Sequence, residues 1–333
     1  MQRNCAIDCL KGLAILCITL LHFEAGIIPQ NLNVWIGLFM ITAFYFASGW
    51  ISGIKGSNTA PKELFFKRVR QLGIPYLWFS LAILLFDLIW CICGFMGYNI
   101  FFRDIYKTLV LRGIGTLWFL PVLLFGEWLF CFVKSKKHCF VWGAGLFLLS
   151  FAASYFYYKF LPMRGNSDLM KLLEAPVRPV VYSLMAWPVI LFGFGGGKYL
   201  YPRVENCKQI YSFCIGIALL AISYLIVQFN ISLYFISTWV INVFSALGFL
   251  LVFSAFPKNP VSDFFAYWGK NSLILMCIHF SILQEIMMTI DKRFLHHASF
   301  TGCRTLVYFV ITVAITWLLV PLFNNKLKFM LGK

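Results

Sequence analysis

Asp8, Lys11 and His22 have the residue types and the spacing for acid–base chemistry beside an anion-holding cation. Eleven residues of helix is about three turns, so Lys11 and His22 would project from one face about 16 Å apart along the axis. Asp8 stands three residues before Lys11, close enough to pair with it. The cation would sit near the inner surface of an apolar layer and the imidazole deep within it. That arrangement suits a long polar ligand whose anionic end rests on Lys11 and whose reactive end reaches His22. The same residues also suit a snorkelling lysine at a helix start and a packed histidine.

A second cluster follows in Lys62-Glu63-Leu64-Phe65-Phe66-Lys67-Arg68-Val69-Arg70-Gln71-Leu72-Gly73-Ile74-Pro75-Tyr76. Its basic residues could hold phosphates by charge-assisted contacts, although composition alone asks for no more than a basic inner loop. Pro75 would open the next helix, where a proline in the first turn is natural. Other ionisable residues fall in apolar stretches, at Glu24, Asp87, Glu127, His279 and Glu285. Each costs about 2.5–3.5 kcal/mol on insertion scales. Asp87 and Glu127 fit interhelical contacts as well as function, and Glu285 is expected at an interface. The eleven cysteines show no metal-ligand spacing and are expected to pack as small residues. Gly193-Phe194-Gly195-Gly196-Gly197 lacks the strand–turn–helix setting of a nucleotide loop and is expected to be a flexible helix end. His138 and the pair His296–His297 have no partners at ligand spacing, so no metal is expected.

The elements that must position these groups are transmembrane helices. Hydrophobic residues make up 61% of the 333-residue chain and charged residues 12%, with a mean hydropathy of +0.82. Soluble chains run at about 45–50% and about 25%. A soluble enzyme, a disordered tail and a disulfide scaffold are thereby excluded. Ten apolar stretches of membrane-spanning length centre near Ile18, Phe44, Ile83, Leu124, Leu149, Pro188, Leu219, Phe244, Cys277 and Thr312. The first is not a cleaved signal, since it carries His22 and Glu24 and lacks a small-residue cleavage site. One side of the membrane collects seventeen Lys and Arg, among them Arg3, Lys136 and Lys258, and the other nine, from Arg103 to Arg304. The net charge of +16 is therefore a positive-inside signature, with both termini cytoplasmic, and not a nucleic-acid footprint. The expected fold is an all-α polytopic membrane protein of about ten transmembrane helices, a single domain over residues 1–333 with no appended soluble domain.

Several segments in order resemble the acyltransferase-3 family of membrane O-acyltransferases. Ile7-Asp8-Cys9-Leu10-Lys11-Gly12 running to His22 resembles that family's first helix, and Phe44-Tyr45-Phe46-Ala47-Ser48-Gly49-Trp50 its aromatic-Ser-Gly stretch. Phe66-Lys67-Arg68 leading to Ile74-Pro75-Tyr76 resembles its basic loop. Leu117-Trp118-Phe119-Leu120-Pro121 is similar to its Trp-Phe-Leu motif, and Gly269-Lys270-Asn271-Ser272-Leu273 with His279 to its penultimate helix. Between about 135 and 260 only the hydropathy matches. Two positions depart from the pattern. Lys11 stands where the family most often has arginine, losing the bidentate fork, and Gln71 stands where a second arginine is common.

The resemblance implies transfer of an acyl group, commonly acetyl from cytoplasmic acetyl-CoA, to a hydroxyl of an extracytoplasmic saccharide or its lipid-linked precursor. It makes His22 a general base or a transient acyl carrier, with Asp8 beside Lys11. Lys11 and Arg68 would hold the donor's phosphates or pantetheine, with Arg70 a weaker partner and Trp118 a pocket wall. Ser48 would orient the acceptor or donate to the developing oxyanion, unless it only permits close packing beside Gly49. Asn271 and Ser272 also suit a plain helix cap. The implied location is a bacterial inner membrane, with lipids as partners. The alternative is a transporter in which His22, Asp87 and Glu127 relay protons or bind solute.

Overall fold

The computed structural model describes residues 4–24, 26–56, 59–134, 137–165, 167–205, 207–231, 235–256, 259–293 and 303–333. Arg3, Lys136, Lys258, His296 and His297 lie outside the described residues, as do the side chains of Arg164 and Cys303. Among the described residues ten helices are long and apolar enough to cross a membrane, and each expected centre falls inside one of them. They are α1 (Cys5–Phe23), α2 (Gln30–Lys55), α3 (Pro61–Ile92), α5 (Gly115–Lys134), α6 (Cys139–Met163), α7 (Asp168–Glu205), α8 (Gln209–Gln228), α9 (Ile236–Ala255), α11 (Ser272–Arg293) and α12 (Arg304–Asn325). Two shorter helices, α4 (Tyr98–Leu109) and α10 (Pro260–Lys270), complete the described chain. No strand forms among the described residues.

The outward faces show why this chain needs lipid. On α3, Leu77, Leu81, Leu85, Ile89 and Ile92 are exposed at helical spacing, while Tyr76, Phe79, Ser80, Ile83 and Asp87 are buried. A continuous exposed leucine stripe would be an aggregation patch in water; against hydrocarbon it is at no cost.

Contacts divide the chain into two compact units. The first takes Met1–Ser57, Pro188–Leu275 and Phe300–Phe309, and the second Asn58–Trp187, Met276–Ser299 and Val310–Lys333.

In the first unit α1 packs on α2, α9 and α10. Helix α10 starts with Asn259, whose side chain accepts from the Ser262 N–H at 2.9 Å, and with Pro260 in its first turn. It crosses α1 backbone to backbone. A Cβ on Gly12 would fall within 3.0 Å of the Phe265 carbonyl, and one on Gly269 within 3.0 Å of the Asp8 carbonyl. Cys9 Sγ donates to the Ser262 carbonyl at 3.2 Å in the same seam. A Gly269→Ala variant is expected to lose about 1–3 kcal/mol, at the upper end because the opposing atoms are backbone and cannot rotate away. Thermal unfolding in detergent measures this; an unchanged midpoint would mean that the two helices do not touch.

The run from Gly193 to Gly197 corrects an expectation. It is not a flexible end: α7 continues through a π turn, Gly196–Leu200, to Glu205. Cβ atoms on Gly193 and Gly197 would strike the Phe46 and Trp50 carbonyls of α2, and one on Gly49 the Ile190 carbonyl. These glycines let two helix backbones approach.

In the second unit the basic segment is helical, not a loop. Pro61–Arg68 is α-helix, Val69–Gly73 is a π turn, and the helix resumes at Ile74. In a regular helix the Pro75 ring would clash with the Gln71 carbonyl. The π turn re-spaces the backbone here, with the Ile74 N–H bonded to the Val69 carbonyl. Glu285 is also displaced from its expected place. After the π turn His279–Gln284, α11 runs on to Arg293, so Glu285 lies mid-helix.

Candidate active site

Helix α1 is begun by Asn4, whose side chain accepts from the Ile7 N–H at 3.3 Å. It then runs unbroken to Phe23, so Lys11 and His22 share one rigid element. Their depths differ from expectation. Lys11 is the seventh residue of the helix and half-buried, while His22 lies in its last turn. The imidazole therefore stands at the end of the span remote from the N-terminus, not at its middle. It is hydrogen-bonded to the Ile18 carbonyl one turn back. Donation of one ring N–H to that carbonyl sets the tautomer of the neutral imidazole.

Glu24 is not an intramembrane acid but the residue that closes α1. Its Oε1 accepts from the Gly26 and Ile28 N–H groups at 2.7 and 3.0 Å. Asp8 is buried, its backbone against Gly269. Ser48 is half-buried on α2, which packs beside α1, and its neighbour Gly49 makes the close approach to α7.

At the N-terminal end of α1 a cavity of about 490 Å³ is lined by Asn4, Cys5, Trp50, Tyr201, Glu205 and Ser212, among others. Trp50 is almost wholly buried, and its indole N–H has no hydrogen-bond partner among the described residues. A buried donor without an acceptor is costly unless a ligand supplies one. Trp50 was missed as a functional candidate, although it ends the aromatic-Ser-Gly stretch; its type alone suggested packing.

In the second unit Arg68 forms an ion pair through Nε with the buried Glu127 of α5, and its Nη1 donates to Gln71 Oε1 at 2.7 Å. Glu127 thus serves as the anchor of the basic segment, an interhelical contact whose partner its sequence position did not reveal. Gln71 fills the place of a common arginine by bracing Arg68 instead. Arg70 is exposed, with Nε donating to the Gly332 carbonyl at 3.1 Å.

Trp118 follows a turn in which Leu111, Gly113 and Gly115 have φ of 59, 76 and 52°. Positive φ is rare for a leucine, and the turn ends in the short 3-10 helix Gly115–Trp118. Thr116 Oγ1 donates to the Met276 carbonyl at 2.6 Å. The Trp118 ring meets the Tyr182 ring edge-on at 5.3 Å. His279 is fully buried at the start of its π turn, and Asn271 and Ser272 bond back to the Tyr267 and Gly269 carbonyls. Those two residues join α10 to α11. Among the described residues no group of three or more His, Cys, Asp or Glu has metal-holding geometry.

Among the described residues, ten helices of membrane-crossing length and no strand define an all-α polytopic membrane protein. The chain belongs to the acyltransferase-3 family: the family model described as an acyltransferase domain matches residues 4–321. It is a multi-pass membrane O-acyltransferase. No curated protein and no solved structure matched it.

Proposed function

We propose that the enzyme transfers acetyl from cytoplasmic acetyl-CoA to a hydroxyl of a cell-surface saccharide or its lipid-linked precursor, in a bacterial inner membrane with both termini cytoplasmic. The observation that carries this reading is the unbroken α1, which fixes Lys11 and His22 three turns apart in a chain of this family.

A sugar hydroxyl is a poor nucleophile at neutral pH. His22 takes its proton as the oxygen attacks the thioester carbonyl, and the imidazolium returns that proton to the departing thiolate as the C–S bond breaks. In the carrier variant of the same reading, the imidazole nitrogen attacks the thioester carbonyl and expels the CoA thiolate; the hydroxyl then attacks the acetyl-imidazolium, frees the imidazole, and its proton passes to the thiolate. Ser48 orients the hydroxyl or donates to the tetrahedral oxyanion. Lys11 holds an anionic or carbonyl group of the donor, with Asp8 setting its position, and the Trp50 indole supplies a further donor at the N-terminal end of α1. Arg70 offers the donor's phosphates its exposed fork, and Arg68 adds charge while held by Glu127. Trp118 serves as a pocket wall.

The test is label transfer in purified proteoliposomes given a crude saccharide fraction and either [¹⁴C]acetyl-CoA or succinyl-CoA. Acetyl label in saccharide is expected, with Lys11→Ala raising the donor KM more than it lowers kcat, because a ground-state contact is lost. Label from succinyl-CoA alone would sink the acetyl assignment, and label in lipid or protein alone would sink the saccharide.

A further inference from the structure

The positive-inside bias accounts for cations on the more basic side of this chain but not for a gathering of them on the other. Arg103, Lys107, Arg112 and Lys171, all on the less basic side, line one cavity of about 540 Å³ within the second unit. That volume is typical of small-molecule sites, which run at about 300–1,000 Å³. Two buried carboxylates hold three of these cations from behind. Asp104 Oδ1 receives Lys107 Nζ at 2.6 Å and Arg103 Nε at 3.5 Å, and Glu174 Oε2 faces Arg112 Nη1 at 3.5 Å. The Tyr157 hydroxyl donates to the other Glu174 oxygen at 2.5 Å. Arg112 itself follows Leu111, the leucine with φ of 59°. Backbone strain and buried acids are both costly, and here both serve to fix the position of cations.

Each guanidinium is engaged along one edge, which leaves further N–H donors for a ligand. The single carboxylate lining the cavity, Asp168, is exposed and paired with Lys171 at 3.0 Å. Burial, followed by the like charges of Arg103 and Arg112, holds the Lys107 ammonium below the usual lysine pKa. A bound anion relieves that repulsion. Two further lining groups suit a sugar. Asn99 can donate and accept toward hydroxyls, and the Tyr106 ring is fixed by its hydroxyl's 2.8 Å bond to the Leu172 carbonyl.

We propose that this cavity binds the phosphate or carboxylate of an anionic saccharide, on the side that the charge count places outside the cytoplasm. The assignment rests on the saccharide reading above and narrows it to acidic acceptors. Sugar phosphates and uronic acids share the recognising chemistry, planar or tetrahedral anionic oxygens met by arginine forks.

The test is equilibrium binding to the full-length protein in neutral phosphatidylcholine nanodiscs, without acyl donor, using glucose 1-phosphate, glucuronate, glucose and inorganic phosphate. Binding of either acidic sugar, with glucose at least about tenfold weaker, is expected from the loss of one charge-assisted contact. Which of the two binds tells phosphate from carboxylate. The double variant Arg103→Gln/Lys171→Gln is expected to lose at least about tenfold in affinity, while Lys171→Arg retains it. Arg103 and Lys171 are the more exposed cations, with side chains 59% and 42% accessible, so their loss leaves the buried carboxylates paired with Lys107 and Arg112. Equal binding of glucose, unchanged affinity in the double variant, or inorganic phosphate binding as tightly as both sugars would each overturn the assignment. So would abolition of binding by phosphatidylglycerol in the disc, which would make the occupant a lipid headgroup. Because no donor is present, failure here leaves the acetyl-transfer assay above to stand or fall separately.

Discussion

A His22→Ala variant is expected to lose between about 10²- and 10⁴-fold in kcat while remaining folded. Alanine is the best helix former, and the imidazole lies half-buried in the last turn of α1, so the substitution leaves the span intact. Its Ile18 bond is to a carbonyl within the same helix, so no partner elsewhere loses a donor through that bond. What disappears is the one positioned nitrogen lone pair that the proposed reaction uses. The measurement is single-turnover acetyl transfer at saturating donor and acceptor, with expression and thermal midpoint checked beside wild type. Retention of wild-type turnover would remove His22 from the chemistry. The same experiment divides the two roles. An acyl carrier leaves hydroxylamine-sensitive label on the protein when the acceptor is withheld, and a general base leaves none.

Arg68→Ala is expected to destabilise the protein by about 3–5 kcal/mol, since it takes from the buried carboxylate of Glu127 the guanidinium paired with it. That carboxylate is 7% exposed, whereas the Arg68 side chain is 28% exposed. Replacing both together, Arg68→Met/Glu127→Leu, should recover most of the loss, because an apolar pair of similar volume removes the buried charge. Thermal unfolding of wild type, Arg68→Met, Glu127→Leu and the double variant forms a double-mutant cycle whose coupling term isolates the pair. Donor KM in the same four proteins tests the second role proposed for Arg68. A rise in KM confined to variants lacking Arg68, at a temperature where all are folded, supports a contact with the donor. A stable Arg68→Ala protein would contradict the ion pair itself.

Hydropathy by itself determined the ten spans, because bilayer thickness imposes one length on every crossing helix and lipid demands apolar residues all along it. It determined equally that Lys11 and His22 share one face, since helical pitch is the same in every protein. The ordered motifs from Ile7 to His279 carried the family. Tertiary structure decided what local spacing cannot encode. The run 193–197 looked like a loose helix end, yet Gly193 and Gly197, like Gly12, Gly49 and Gly269, are places where backbones touch, and a missing side chain announces no partner. Glu127 looked as much like an interhelical contact as a candidate proton carrier, and its ion pair with Arg68, far away in sequence, made it an anchor. The cations of α4 and of the segments after it looked like scattered outer-loop charges. Folding brings Arg103, Lys107, Arg112 and Lys171 to one cavity, where the buried Asp104 meets Arg103 and Lys107 and the buried Glu174 meets Arg112.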